Sequence, residues 1–315
     1  MGQEGGHHGS AEEADHQPGG SRLIRIRARD GWLLVAAVLC VSASAPLIAA
    51  CAAPAPAIAM YRCLLASILT AGWMALRRRR LRMPGGVPAA FAPGLALAAH
   101  FAMWIPSLRL TSVALSTAMV STQPAWSALI SRVAGVRPAR ATWFGVAVSI
   151  AGVLILTGFG RTSGPGSLVG MAMALTAALL AAVYVAFGER LRAVTDLGSY
   201  TSVVYGIAAA ALLALCLGLS VPLLGYRPHD WVLIVAITLV AQIGGHSVLN
   251  AVVHRTSATV VSTAILFEAP GAAVLAALFL GQSVGGSLVL GLAVMLAGLV
   301  FVVRGAAPAI PESGV

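Results

Sequence analysis

The sequence predicts an all-α membrane protein with ten transmembrane helices, arranged as two inverted five-helix repeats. Three observations support this fold class. Hydrophobic residues make up 59% of the 315 residues and charged residues only 10%, and apolar runs long enough to cross a bilayer follow one another with few breaks. The chain also matches itself when it is shifted by 146 positions, the separation of His100 and His246. Its arginines, finally, fall almost entirely on one side of the predicted membrane.

Ten apolar spans are predicted, each close to the roughly 20 residues that cross about 30 Å of hydrocarbon at about 1.5 Å per residue. Residues 1–21, rich in Gly, His, Glu and Gln, are predicted to form a disordered tail. The first repeat covers 22–160, the second 161–304, and residues 305–315 form a cytoplasmic tail. Arg-rich residues 22–29 resemble the start of a signal peptide, but an uncleaved first helix is favoured because nine further spans follow. The spans are 31–50, 57–76, 88–107, 113–132, 141–159, 168–187, 199–221, 231–250, 258–279 and 286–303.

The internal repeat is defined by residue types that recur at one spacing. Matches of Ala or Leu mean little in so apolar a chain, but His and Pro are scarce, and glycines at a fixed spacing indicate a duplicated pattern of helix packing. Because five crossings per repeat is an odd number, the second repeat must enter the membrane inverted, which is the architecture of alternating access. The matched pairs are His100 and His246, Arg109 and Arg255, Ser116-Thr117 and Ser262-Thr263, Pro124 and Pro270, and Gly135, Gly145 and Gly152 with Gly281, Gly291 and Gly298.

The arginines predict the orientation. All 20 basic residues are Arg, so a Walker A lysine and a Schiff-base lysine are both absent. With the N-terminus inside, sixteen arginines fall in inner segments and three outside, namely Arg109, Arg161 and Arg227. Both termini are therefore predicted to be cytoplasmic, in a multi-pass protein of the inner membrane. Next to a membrane, the Arg77–Arg80 run is interpreted as a topology and anionic-lipid signal, and no nucleic-acid partner is expected.

Several motifs resemble the EamA family of the drug/metabolite transporter superfamily, over about residues 31–304. The resemblance implies ten helices, cytoplasmic termini and export of small metabolites such as amino acids. The motifs of the first repeat are His100–Trp104, Ser107–Ser112 and Ser121–Pro124, and those of the second are Gly244–Asn250, Phe267–Pro270 and Leu280–Gln282.

The chain departs from the family pattern at two places in the second repeat. The family usually reads Glu-Pro where Ala269 is inserted here between Glu268 and Pro270, and Gly-Glu where this chain has Gly281-Gln282. The inserted alanine turns Glu268 by about 100° around its helix relative to the proline.

Polar side chains inside the predicted spans are the candidate binding residues. An ionisable group is costly in hydrocarbon, so each should face the bundle interior or a wet cavity. Glu268 is the only carboxylate predicted near the midplane, and the favoured hypothesis makes it a substrate ligand and proton carrier, with a structural hydrogen-bonded role as the alternative. The predicted substrate-binding set is Arg62, His100, Trp104, Gln123, His246, Asn250 and Glu268.

The other members of this set keep their alternatives. Arg62 is either a ligand or a structural group that snorkels outward or pairs with Glu268. His100 and His246 with Glu268 form a common metal set, but the histidines are predicted roughly 12 Å apart in depth, so no metal site is expected. They are interpreted as gate or cavity residues, or else as satisfied core histidines. Trp104 either contacts an apolar part of the substrate or anchors the protein at the membrane interface.

The sequence therefore predicts a secondary transporter that exports a small amino-acid-like or drug-like metabolite by alternating access, with proton coupling as a hypothesis. No catalytic motif and no cofactor are expected, and the predicted partners are a small-molecule substrate and the lipid bilayer, in a monomer or homodimer. Two rival functions remain: an intramembrane enzyme with His100 or His246 as its base, and a non-transporting membrane subunit.

Overall fold

The structure is a computed structural model that describes residues 28–133, 135, 138–156, 165–192, 194–253, 265, 267–283 and 285–305. These residues are almost entirely helical, and no strand occurs among them. The predicted disordered tail lies outside the described residues, as do residues 306–315, Arg161 and Arg255.

Helices of the first half begin at Ala28 and end at Leu156. The first predicted span consists of two consecutive helices, and the fourth is divided into two shorter helices. A short 3₁₀ turn, Val87–Ala90, precedes the third span. The helices are α1 (Ala28–Ser42), α2 (Ser44–Ala50), α3 (Ala55–Leu76), α4 (Phe91–Leu110), α5 (Val113–Val120), α6 (Gln123–Val133) and α7 (Arg140–Leu156).

The described helices of the second half begin at Pro165 and end at Gly305. Its third span is unusual because it contains an eleven-residue π-helix, Ile237–Ser247, between two α-helical segments. Residues 254–264 lie outside the described part, so the span predicted at 258–279 is seen only in its second portion. The helices are α8 (Pro165–Arg192), α9 (Leu197–Gly218), α10 (Pro228–Ala236), α11 (Val248–Val253), α12 (Glu268–Leu280) and α13 (Gly286–Gly305).

Among the described residues, six helices are long and apolar enough to span a membrane. They are the first, second, third, sixth, seventh and eighth predicted spans. Two shorter apolar helices, Glu268–Leu280 and Gly286–Phe301, correspond to the ninth and tenth. The other two predicted spans contain α5 with α6, and α7. Exposed side chains such as Leu76 and Phe279, which are 81% and 76% accessible, give the bundle an apolar outer surface.

The break in the fourth predicted span has a local cause. Pro124 has no N–H, and its ring clashes with the carbonyl four residues earlier, at Val120, which is where α5 ends. The Ser121 hydroxyl donates to the Thr117 carbonyl at 2.9 Å, and the Thr122 hydroxyl donates to Met119 at 2.7 Å. Side chains thus bond carbonyls at the end of α5.

Helices α7 and α13, the last of each half, pack closely through matched residues. A methyl group added to Gly152 would lie 2.8 Å from the Gly291 carbonyl oxygen, and one added to Gly298 would lie 2.6 Å from the Gly145 carbonyl oxygen. Under the 146-residue shift Gly145 corresponds to Gly291 and Gly152 to Gly298, so each of these two contacts is the symmetry equivalent of the other. As the chain runs from Gly145 to Gly152, its partner position runs backward from Gly298 to Gly291, so the two equivalent helices are antiparallel.

A second equivalent pair, α3 and α9, is antiparallel as well. The Ser67 hydroxyl donates to the Ser202 carbonyl at 2.7 Å, and the Ser202 hydroxyl donates to Thr70 at 3.1 Å. Further along, Met74 lies against Gly198. Other contacts between the two halves follow the same symmetry. Helix α4 of the first half packs on α8 of the second half, and the π-helix of the second half packs on α1 of the first half. The main core lies where α3, α4, α9 and the π-helix meet.

Candidate functional site

Arg62 lies at the centre of the bundle, on α3, and its side chain is completely buried. Its Nε and one terminal nitrogen both donate to the Gln242 Oε1, at 3.1 and 2.6 Å. The guanidinium lies over the Phe101 ring, 4.1 Å from the ring centroid. The other terminal nitrogen, NH1, has no hydrogen-bond partner in the described part of the chain. Arg62 therefore does not reach outward to the membrane surface.

Gln242 is positioned by the π-helix of the second half. Residues four apart fall near one face of a π-helix, whose hydrogen bonds run from residue i to i+5, so Gln242 and His246 point to the same side. The Ser247 hydroxyl donates to the Gln242 carbonyl at 3.1 Å. Gly245 allows this segment to approach α1, because an added methyl group would lie 2.5 Å from Val41. Tyr205, on α9, is buried and interacts electrostatically with Gln242.

His100 is buried on α4 and is fixed by the second half. Its Nδ1 lies 2.8 Å from the Ala177 carbonyl oxygen on α8. Since a carbonyl only accepts, Nδ1 carries the proton and donates, and Nε2 is left as an acceptor in the neutral ring.

Trp104 stacks on His100, with ring centroids 5.9 Å apart and an interplanar angle of 21°. Its side chain is 3% exposed, so it lies inside the bundle and not at the lipid-facing surface where an interfacial anchor would be. The Trp104 Nε1 is buried without a hydrogen-bond partner among the described residues. His100 and Trp104 thus leave one acceptor and one donor in the same part of the core.

Glu268 is buried and is the first residue of α12. The sequence placed it about ten residues into the span 258–279, most of whose earlier part lies outside the described residues, and α12 itself begins at the glutamate. A helix N-terminus presents unpaired N–H groups and a partial positive charge, which stabilise a carboxylate. Arg62 acts on Glu268 electrostatically, but no ion pair joins them in the residues that the structure describes. Ala269 is itself fully buried.

The remaining candidates are distributed less closely. His246 is half-buried and lies within the electrostatic influence of Arg62 and His100. Gln123 is half-buried at the first residue of α6. Asn250 lies in α11, and its side chain is not among those described. No group of three His, Cys, Asp or Glu side chains that could hold a metal ion occurs in the described part of the chain.

Sequence reasoning did not identify Gln242, Tyr205 or Phe101. Gln242 had a usable signal, because it is an amide four residues before His246 in an apolar span. Tyr205 and Phe101 had none, since single aromatic residues are ordinary in such spans. The central hydrogen bonds join the two halves: Arg62 to Gln242 across 180 residues, and His100 to Ala177 across 77.

A short loop, Cys51–Pro54, connects α2 to α3 and is bonded to both halves of the chain. Arg109 donates to the carbonyls of Cys51 and Ala53, at 2.8 and 2.6 Å. On the other side of the loop, the Ala52 N–H donates to the buried Asp230 carboxylate at 2.8 Å. Both halves of the chain thus hold the same loop, because Arg109 lies in the last turn of α4 and Asp230 in the first turn of α10.

Comparison with known proteins identifies the architecture. No functionally curated protein matches this sequence. A solved structure titled "Crystal structure of protein" matches 88% of this chain and 98% of its own, with a TM-score of 0.63 and 18% sequence identity, a likeness of fold alone. The model of the EamA-like transporter family matches twice, at residues 31–158 and 168–304. The two matches coincide with the two halves whose helices exchange contacts, and the chain belongs to the EamA-like transporter family.

Proposed function

We propose that the protein is a secondary transporter that moves a small organic molecule by alternating access. The proposed binding site is the buried cluster formed by Arg62, Gln242 and His100. The observation that supports this most directly is the position of the cluster. Its hydrogen bonds join the first half to the second, as at Arg62 with Gln242 and at His100 with Ala177. In inverted-repeat transporters the substrate binds near the midplane between the repeats, where relative movement of the halves opens one side or the other.

The proposed membrane arrangement has ten helices in two inverted repeats with both termini in the cytoplasm. Antiparallel contacts between equivalent helices, α3 with α9 and α7 with α13, support the inversion. The arginine distribution supports the orientation. In this orientation the Cys51–Pro54 loop faces outward, and the bonds from Arg109 and Asp230 attach it to both halves of the chain.

Glu268 is the proposed proton carrier of an export cycle. Burial favours the neutral carboxyl group, whereas a positive neighbour favours the carboxylate. A glutamate at a helix N-terminus near Arg62, inside the bundle, therefore has a protonation state that depends on what occupies the site. A group that binds substrate in one state and a proton in the other exchanges the two.

A transport assay in everted inner-membrane vesicles tests this function. Vesicles that contain the protein are compared with vesicles that contain none, across a panel of labelled amino acids, organic acids, amines and drug-like compounds, with and without a proton gradient. We expect gradient-dependent accumulation of at least one class of compound. The proposal is wrong if no compound accumulates above the empty-vesicle rate while correctly inserted protein is present.

A further inference from the structure

We propose that the transported molecule has an acid group, a carboxylate in the simplest case, and that this group binds the NH1 of Arg62. This inference rests on the proposed transport function and specifies the chemistry that the site selects. Arg62 is a fully buried cation, and its terminal nitrogen NH1 has no hydrogen-bond partner in the described part of the chain.

The partners of Arg62 leave its charge without an anion. Gln242 accepts two hydrogen bonds but is neutral, and the Phe101 ring contributes only its weakly negative face. A buried guanidinium without a counter-ion is expensive, because desolvation is offset only by a close and hydrogen-bonded anion. The site therefore has an unfilled requirement for negative charge, and an acid on the substrate fulfils it.

The geometry also restricts how the acid approaches. Gln242 occupies the Nε side of the guanidinium, and Phe101 covers a face. The terminal NH1 remains, and its N–H groups can donate to a carboxylate oxygen. The unpartnered Trp104 Nε1 lies on the same helix, α4, as Phe101. An indole donor and a guanidinium donor both favour an oxygen-rich, anionic group over a cationic one.

Glu268 does not remove this requirement. It influences Arg62 electrostatically, yet no ion pair is formed between them among the described residues. When Glu268 is protonated, Arg62 has no anion at all, and when it is ionised, its position at the start of α12 stabilises it independently. An acid at NH1 is therefore recognised separately from whatever Glu268 binds.

The test uses ligand pairs that differ only in the acid group: benzoate and benzamide, butyrate and butyramide, and leucine and leucinamide. Each compound is titrated into the purified full-length protein, and the increase in apparent Tm is measured, because a ligand that binds the folded state stabilises it. For at least one pair, we expect the acid to bind the wild-type protein about tenfold more tightly than its amide. If no acid of the three pairs is preferred over its amide, the proposal is overturned.

Gln242→Glu distinguishes recognition from a merely structural role. The substituted carboxylate would lie where Oε1 now accepts from Arg62, so the buried cation gains an internal anion and the fold is kept. A structural role for Arg62 predicts unchanged ligand preference, whereas our proposal predicts loss of the preference for acids. The matched control is Gln282→Glu, which adds the same charge at the end of α12, where Gln282 Oε1 accepts from the Val113 N–H, and this variant should keep the wild-type preference.

The failure of this inference is separable from the failure of the transport function. If vesicles accumulate amines or neutral compounds but no acid, the protein is a transporter and Arg62 does not recognise an acid. Retained acid preference in Gln242→Glu also contradicts the inference. In that variant the introduced carboxylate already neutralises Arg62, so the preference for acids could not come from the Arg62 charge. Arg62→Gln serves as a second variant, and it should lose the acid preference wherever it remains folded.

Discussion

Substitution of the matched glycines tests the symmetric contact between α7 and α13. An alanine at Gly298 would place its methyl group 2.6 Å from the Gly145 carbonyl oxygen, and an alanine at Gly152 would place it 2.8 Å from the Gly291 carbonyl oxygen. Both contacts are with backbone atoms, which cannot rotate away as a side chain would. The helices must separate locally, and such overpacking typically costs about 1–3 kcal/mol.

Helix propensity favours the replacement of glycine by alanine, which opposes the cost of the clash. The control is therefore a glycine-to-alanine substitution that makes no clash. Alanine is favoured over glycine inside a helix by about 1 kcal/mol. Gly72, in α3, has no atom within 4 Å of an added methyl group, so Gly72→Ala receives this gain without a clash. We therefore expect Gly298→Ala to be about 2 kcal/mol less stable than Gly72→Ala, and Gly152→Ala to be less stable by a similar amount because the 146-residue shift exchanges the two sites.

The assay is thermal unfolding of the three purified variants in one detergent. For a difference of about 2 kcal/mol we expect the apparent Tm of Gly298→Ala and Gly152→Ala to lie about 5 °C below that of Gly72→Ala. The reasoning is refuted if Gly298→Ala is as stable as Gly72→Ala. Strongly unequal effects at the two matched glycines would contradict the exchange of contacts between the halves.

Three further predictions concern the histidines, the topology and Asp196. His100→Ala and His246→Ala should each reduce the initial rate of transport about tenfold, which corresponds to about 1.4 kcal/mol, while the protein remains in the membrane; normal transport by both variants would show that they are core residues. A reporter fused after Arg304 should be located in the cytoplasm. A periplasmic signal from that fusion would contradict the ten-span topology. Partial burial alone would raise the pKa of Asp196, but hydrogen bonds from Ser199 and Gly198 and the charge of Arg79 bring this pKa below its ordinary value, so the stability that Asp196 contributes to the start of α9 is present above about pH 4 and is lost as the pH falls through the lowered pKa. Asp196→Asn, which keeps an N-cap acceptor, should therefore lose less stability than the wild type on acidification, as measured by Tm between pH 3 and pH 6.

The helical fold and its repeat could be predicted from the sequence because both depend on patterns within the chain. Apolar span length indicates membrane helices, and Pro124 marks the break between α5 and α6 through its missing N–H. The matched glycines predicted a duplicated packing pattern, and Gly152 and Gly298 indeed make exchanged contacts. The count of ten crossings remains a prediction, since the described part of the chain contains six full-length apolar helices.

The centre of the candidate site could be predicted only in part. Buried charge is costly wherever it occurs, so Arg62 and Glu268 could be selected by type alone. Their partners could not, because Arg62 and Gln242 are 180 residues apart and no local pattern links them. The π-helix that orients Gln242 and His246 also has no signal in a 3.6-residue periodicity.

The most direct test of the transport mechanism is the rate of gradient-driven accumulation by wild-type protein and by Glu268→Gln in everted vesicles. Glutamine has the size and hydrogen-bonding capacity of the protonated glutamate but neither releases nor accepts a proton. The proposed exchange therefore predicts that Glu268→Gln inserts normally and shows no dependence of transport on the proton gradient. Accumulation by this variant at the wild-type rate, with the same gradient dependence, would show that Glu268 is structural and would contradict the mechanism.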